Sequence, residues 1–186
     1  MNKLSSLTNQ FLLAMPSLED NNFSRSVTLI CEHNEDGALG IVVNRPTNLS
    51  LAEIFIQLDL ERKGIDETDQ VHFGGPVQSE RGLVLHEGIG SWEYTLSITE
   101  NLGLTSSKDI LTALAKGQGP RSYLFALGYA GWSGGQLEAE IQENSWLIVP
   151  ANRKILFETP VDQRWNKAAA MAGIDITKIS SQIGHA

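Results

Sequence analysis

The stretch from Ser122 to Glu143, SYLFALGYAGWSGGQLEAEIQE, constrains this chain more than any other. It opens with an apolar run from Tyr123 to Tyr129 interrupted only by Gly128. Such a run is too short for a membrane helix and suits a strand buried on both faces. Glycines follow at 128, 131, 134 and 135. Gln136 to Glu143 then reads as a helix with Leu137 and Ile141 one turn apart on its inner side. Ser133 and Gln136 have the S-x-x-Q spacing of a capping box, which predicts Ser133 as the N-cap. A buried strand, a glycine-rich bend and a capped helix follow one another, and backbone of this kind can approach a ligand or another segment closely.

The 186 residues suffice for one domain, and 41% hydrophobic with 19% charged residues is an ordinary globular balance. A lone cysteine, Cys31, can form no internal disulfide and fits a reducing compartment. The N-terminal residues show no apolar segment typical of a secretory signal, and no apolar run reaches the ~20 residues of a membrane helix. The expectation is a cytoplasmic protein. Its net charge is −8, and its fourteen basic residues are scattered. The clustered Lys and Arg that give nucleic-acid binders their basal affinity are missing, so direct nucleic-acid binding is not expected.

In chain order, Asn2 to Gln10 reads as a short helix, Phe11 to Met15 as a strand and Ser17 to Ser24 as a loop. Ser26 to His33 and Ala38 to Asn44 flank Asn34-Glu35-Asp36-Gly37, a hairpin signal. Asn44 to Asn48 reads as a turn. Ser50 and Glu53 form a second capping box before Leu51, Ile54, Phe55 and Leu58, with Arg62, Lys63 and Gly64 as the helix stop. Strands are expected at 70–73, 82–86, 92–98 and 146–149, an extended piece at 155–157, and a helix over 107–116. Thr159 and Pro160 read as N-cap and N1 of a last helix whose inward face is Val161, Trp165, Ala168, Ala169 and Ala172 and which stops at Gly173. Early hairpins, later mixing of strands and helices, and no regular βαβ alternation predict an α+β domain spanning 1–186, with a mixed sheet and flanking helices.

A set of stretches running from near the first residue to the last resembles the YqgE/AlgH family of bacterial proteins. They are Phe11-Leu-Leu-Ala-Met-Pro16, Ser26-Val-Thr-Leu-Ile-Cys-Glu-His33, Gly37-Ala-Leu-Gly-Ile-Val-Val-Asn-Arg-Pro46, Gly74-Gly-Pro-Val77, Leu85-His86, Gly128-Tyr-Ala-Gly-Trp132, Gly135-Gln-Leu-Glu138 with Glu140, and Gly184-His-Ala186. The resemblance implies a compact α+β fold with its own topology, a cytosolic location and the label of a transcriptional regulator, with no settled biochemical activity. Position 133 lies outside the family pattern, which weighs against a special role for Ser133.

Several groups could carry chemistry. Gly131-Trp132-Ser133-Gly134-Gly135 fits G-x-S-x-G, with Asp162 or Asp175 and His185 completing a Ser, Asp, His order. This makes Ser133 and His185 the candidates for a small serine hydrolase. Against it stand the terminal position of His185 and the missing βαβ repeats. Cys31 and His33 with His72 or His86 make a poor metal signature, and neither a metal nor a cofactor is expected. Asn44, Arg45 and Pro46 end a strand, and Arg45 suits a carboxylate or phosphate. With Gly74, Gly75, Pro76, Gly131, Trp132 and Gln136 they form the expected ligand-binding region, because binding residues concentrate in loops at strand ends. The functional class favoured is a non-enzymatic binding or regulatory module with a protein or small-molecule partner.

Overall fold

The computed structural model describes residues 5–15 and 25–174. The loop expected at 17–24, residues 2–4 of the first helix, Asp175 and His185 lie outside them.

The stretch around residue 128 is central in space as well as in sequence. It forms β9 (Tyr123–Ser133), which pairs at one end with β6 (Val77–Glu87) and β5 (Gln70–Phe73), and at the other with β3 (Gly37–Val42). From β3 the sheet continues through β2 (Val27–Asn34) and β1 (Gln10–Ala14) to β10 (Trp146–Pro150). From β6 it continues through β8 (Leu102–Thr105) to β7 (Thr95–Ser97). β4 (Pro46–Ser50) pairs with β5, and β5 with β9 is the parallel pair that makes the sheet mixed. Five α-helices flank it among the described residues: α1 (Leu51–Gln57), α2 (Lys108–Ala115), α3 (Gln136–Gln142), α4 (Arg153–Phe157) and α5 (Arg164–Met171). The fold is α+β.

Alternation along the strands assigns side chains to two sides of the sheet. Leu83, Leu85, Leu124 and Ala126 join Phe11, Leu13 and Leu29 in the core enclosed by the curled sheet, closed by Ile155, Leu156 and Trp165 of α4 and α5. Val84 and Phe125 point the other way and pack against Leu51 and Phe55 of α1 and Ile110 and Leu114 of α2. Leu12, Ile30, Ala130 and Trp132 pack under Leu137 of α3. Burial on both faces is why residues 123–127 read as a continuous apolar run. At Gly128, φ is 74°, and a Cβ would lie 2.4 Å from the Gly75 carbonyl oxygen. Glycine therefore lets β9 bend there while neighbouring backbone closes over it.

Several local expectations are corrected by contacts between distant residues. Residues 5–10 are not helical: Leu7 N–H donates to His33 Nδ1 and Asn9 N–H to the Ile30 carbonyl, so tertiary contacts hold this segment against β2. Residues 46–50 form an edge strand, where proline is tolerated. The helix begun by the Ser50–Glu53 box ends at Leu58, not near Gly64. Asp59 turns left-handed (φ 56°), and Leu60 N–H caps the Phe55 carbonyl in Schellman fashion. Gly64 instead abuts the end of α2, where a Cβ would lie 2.1 Å from the Leu114 carbonyl oxygen.

The strand expected at 92–98 shrinks to β7 because the Glu93 and Tyr94 N–H groups donate to Asp109 and Ser107. β8 escaped notice because Gly103 interrupts a short run; a Cβ there would press on Thr95 and His86. Residues 153–157 are helical, capped by Asn152, whose Oδ1 accepts from Ile155 N–H. Adjacent burial of Ile155 and Leu156 suits a helix and not a half-buried strand. Thr159 caps no helix; its hydroxyl donates to the Lys154 carbonyl, and a 3-10 turn at Val161–Gln163 leads into α5. Gly173 (φ 75°) ends that helix as expected.

Candidate ligand-binding site

The residues expected to bind ligand meet chiefly as backbone. The Arg45 carbonyl accepts from Phe73 N–H at 2.7 Å, and the Gly74 carbonyl from Val42 N–H at 2.8 Å. Pro46 faces His72 across the β4–β5 ladder. A Cβ on Gly75 would lie 2.1 Å from the Tyr129 carbonyl carbon, so this glycine is required by close packing on β9. Asn44 clamps its surroundings, accepting from Val27 N–H at 2.9 Å and donating to the Arg25 carbonyl at 3.0 Å.

Trp132 is 7% exposed, and its indole N–H donates to Glu140 Oε2 at 2.8 Å. Gln136 Oε1 accepts from both the N–H and the hydroxyl of Ser133, and its Nε2 donates to Glu140 Oε1. Ser133 is thus not the N-cap expected from its spacing. Gly135, with φ 78°, takes that position, because β9 runs on through Ser133 and the chain turns at the two glycines after it. Among the described residues no histidine is hydrogen-bonded to Ser133.

The histidines and cysteine named in the sequence are likewise committed. Burial raises the Cys31 thiol pKa, with Glu32 adding to it. His33 accepts from Leu7 N–H and bonds Glu138 through Nε2 at 2.6 Å. The Glu138 carboxyl is held below its ordinary pKa, first by a hydrogen bond to its own backbone N–H and then by His33. His72 sits at a pKa of about 4, lowered by burial and by the Arg164 charge. No cluster of metal-ligating side chains occurs among the described residues.

One cavity, of about 420 Å³, opens at the mouth of the curled sheet. Its floor is Leu39, Leu83, Leu96, Leu104 and Tyr129, and its rim is Arg81, Glu93, Tyr94, Thr95 and Ser106. Of the expected residues Gly131 lies nearest to it in register: it pairs with Leu39 and shares a strand face with Tyr129. Arg81 reaches the rim through a bulge. Val77 pairs with Tyr129 and Gly82 with Leu127, so β6 carries three more residues than β9 over this interval. Gln78 takes a left-handed φ of 47° and residues 78–81 are exposed. Bulges re-aim side chains in this way. Arg81 donates to Gln78 Oε1 and Ser106 Oγ, both at 3.1 Å, and no acid pairs with it among the described residues.

On the sheet face opposite Leu83, Leu96 and Leu104, Thr95 Oγ1 lies 2.8 Å from Thr105 Oγ1, which lies 2.7 Å from His86 Nε2; His86 Nδ1 lies 2.9 Å from the Gly88 carbonyl. His86 and Thr105 are buried, and burial lowers the His86 pKa. These residues and Arg81 went unremarked as a group in the sequence because the register of three strands, β6, β7 and β8, and a bulge place them. An exposed Arg81 before Gly82 carries no local signal.

A curled mixed sheet with helices packed outside it and an open apolar mouth makes this an α+β protein. The chain belongs to the AlgH-like family, whose model matches residues 11–177. It is 52% identical to a UPF0301 protein of Thioalkalivibrio sulfidiphilus over the full length of both. It is 54% identical to a UPF0301 protein of Saccharophagus degradans, covering 97% of this chain and 89% of that one. The solution structure of the AlgH protein from Pseudomonas aeruginosa superposes with a TM-score of 0.81 at 44% identity, covering 100% of this chain and 99% of that one. A crystal structure from Corynebacterium diphtheriae shares the fold at 20% identity, with a TM-score of 0.70 and coverage of 86% and 83%.

Proposed function

We propose that this protein is a non-enzymatic binding module of the cytoplasm that seats a small amphipathic molecule in the mouth of its curled sheet, and that any regulatory output depends on that occupancy. The observation that carries this reading is Arg81, placed by a bulge at the rim of an apolar cavity and bonded, among the described residues, to neutral side chains. Ligand sites combine an apolar wall with a few polar groups in this manner and recur in the mouths of curled sheets. The net charge of −8 supports a small-molecule partner over direct contact with nucleic acid. No helix among the described residues is long and apolar enough to cross a membrane.

The test uses 1-anilinonaphthalene-8-sulfonate, an apolar fluorophore with one anionic group. It should bind one molecule per chain. Arg81→Gln should weaken it about tenfold, the loss of one charge-assisted hydrogen bond. Leu96→Trp, which fills the mouth, should abolish binding. Fluorescence titrations indifferent to both substitutions would refute the reading.

A further inference from the structure

The hydrogen-bond pattern of β7 shows which of its main-chain groups the sheet leaves over. Ser106 N–H donates to the Tyr94 carbonyl at 3.0 Å, and Ile98 N–H to the Leu102 carbonyl at 2.8 Å. Between them Thr95 faces Thr105, Leu96 faces Leu104 and Ser97 faces Gly103. Antiparallel pairs alternate between residues that exchange hydrogen bonds and residues that do not. Tyr94, Leu96 and Ile98 therefore bond toward β8, and the N–H and C=O groups of Thr95 and Ser97 point to the other edge. β7 ends its path through the sheet and pairs with β8 alone among the described residues. No hydrogen bond from another element reaches these four groups among the described residues. Tyr94 and Ser97 are exposed, so the edge is open to solvent. An open edge of this kind is a template for another strand.

That edge borders the cavity. Tyr94, Thr95 and Leu96 line it, and Leu96 shares its floor with Leu83 and Leu104. A strand added beside β7 places every second side chain on the face of Leu96, because directly opposed residues share a face. Arg81 supplies the charge. Its guanidinium is fixed by Gln78 and by Ser106, the residue across from Tyr94. The Glu93 carboxylate is exposed and accepts no hydrogen bond among the described residues, so the fixed charge at that end of β7 is positive. Resting on the reading of this mouth as the binding site, we propose that its ligand is a short extended peptide that joins the sheet as an antiparallel strand beside β7. The peptide residues opposite Thr95 and Ser97 exchange main-chain hydrogen bonds with them. Between these, an apolar side chain opposite Leu96 enters the cavity, and an acidic one opposite Tyr94 meets Arg81. Main-chain pairing of this kind gives affinity, and the pocket for alternate side chains gives selectivity.

The probe is acetyl-Leu-Thr-Leu-Thr-Glu-amide, whose threonines fall opposite Ser97 and Thr95 and whose central leucine falls opposite Leu96. In calorimetry on the full chain it should bind once per chain and displace the fluorophore. N-methylation of both threonines removes the N–H groups that face β7 and should weaken binding at least about tenfold. N-methylation of the central leucine, whose N–H faces away from β7, should not. Replacing the probe's glutamate by glutamine should weaken binding to the native chain about tenfold and make no difference to Arg81→Gln. Ser97→Pro removes one outward N–H at an edge position, where proline is tolerated; it should weaken the peptide about tenfold and leave the fluorophore bound. If that variant failed to fold, the methylated probes on the native chain decide alone. Equal effects of the two methylations, a glutamine probe as tight as the original, or a folded Ser97→Pro indifferent to the change would overturn the inference. A concentration-dependent dimer abolished by Ser97→Pro would give the edge to a second copy and overturn it too. If the peptide failed to bind while the fluorophore bound, the inference would fall alone. If neither bound, the binding-site reading would fall with it.

Discussion

Trp132 and Trp146 meet edge to face, with ring centroids 6.1 Å apart, and both donate their indole N–H to one oxygen of Glu140 at 2.8 Å. Trp132 is the penultimate residue of the central strand and Trp146 opens the edge strand β10. A single carboxylate on α3 therefore ties the helix to two separated strands. Glu140→Ala should leave two largely buried N–H groups without their acceptor and cost on the order of 2–4 kcal/mol. Glu140→Gln retains one acceptor oxygen and should cost less. Urea denaturation followed by tryptophan fluorescence distinguishes them; equal stability of Glu140→Ala and the native chain would show that Leu137, Ile141 and the His33–Glu138 contact hold α3 without it.

The pH dependence has a defined sign. His72 has a folded pKa of about 4, lowered first by burial and then by Arg164, with a hydrogen bond to the Phe125 carbonyl opposing. Its unfolded value lies near 6.5. Between these values the unfolded chain binds the proton more readily, so stability is full above about pH 6.5 and falls as pH drops toward 4. The loss from this residue should be on the order of 2–3 kcal/mol. His86 adds a change of the same sign. His72→Asn keeps a donor for Phe125 and removes the titration, so its stability should change less between pH 7 and pH 4.5. Parallel curves for the two proteins would place the acid sensitivity elsewhere.

Ser50 and Ser133 carry the same sequence signal and should respond differently. Ser50 Oγ accepts from Glu53 N–H at 3.2 Å while Glu53 reaches back to Ser50 N–H at 2.7 Å. Ser50→Ala should cost about 1 kcal/mol. The Ser133 hydroxyl caps nothing and donates to Gln136 Oε1 at 3.2 Å in an exposed position. Ser133→Ala should stay within about 0.5 kcal/mol. Paired denaturation curves decide this, and a loss at position 133 as large as at position 50 would contradict the observed geometry.

Much of the fold was written locally. The apolar run at 123–129 marked the central strand because burial on both faces removes any need for polar alternation. Asp36-Gly37 marked the first hairpin, and Ser50 with Glu53 a helix start, since these depend on neighbouring backbone groups. Helix ends were less legible. Asp59 could take the left-handed cap usually assigned to glycine, which freed Gly64 for a close helix contact visible only in three dimensions.

The expected site shows the same division. Gly74 and Gly75 signalled close backbone approach, which periodicity and turn chemistry can express, and the approaching partner proved to be β9. Arg81 meets Ser106, and His86 meets Thr105 and Thr95, through the register of β6, β8 and β7 and a bulge of three residues. No local preference records that register. The sequence by itself determined the strand at the centre, the α+β class and the family. Only the tertiary structure decided which face of the sheet each side chain takes, how a bulge carries Arg81 to the rim and where the sheet stays open, because register and burial depend on groups that meet only after folding.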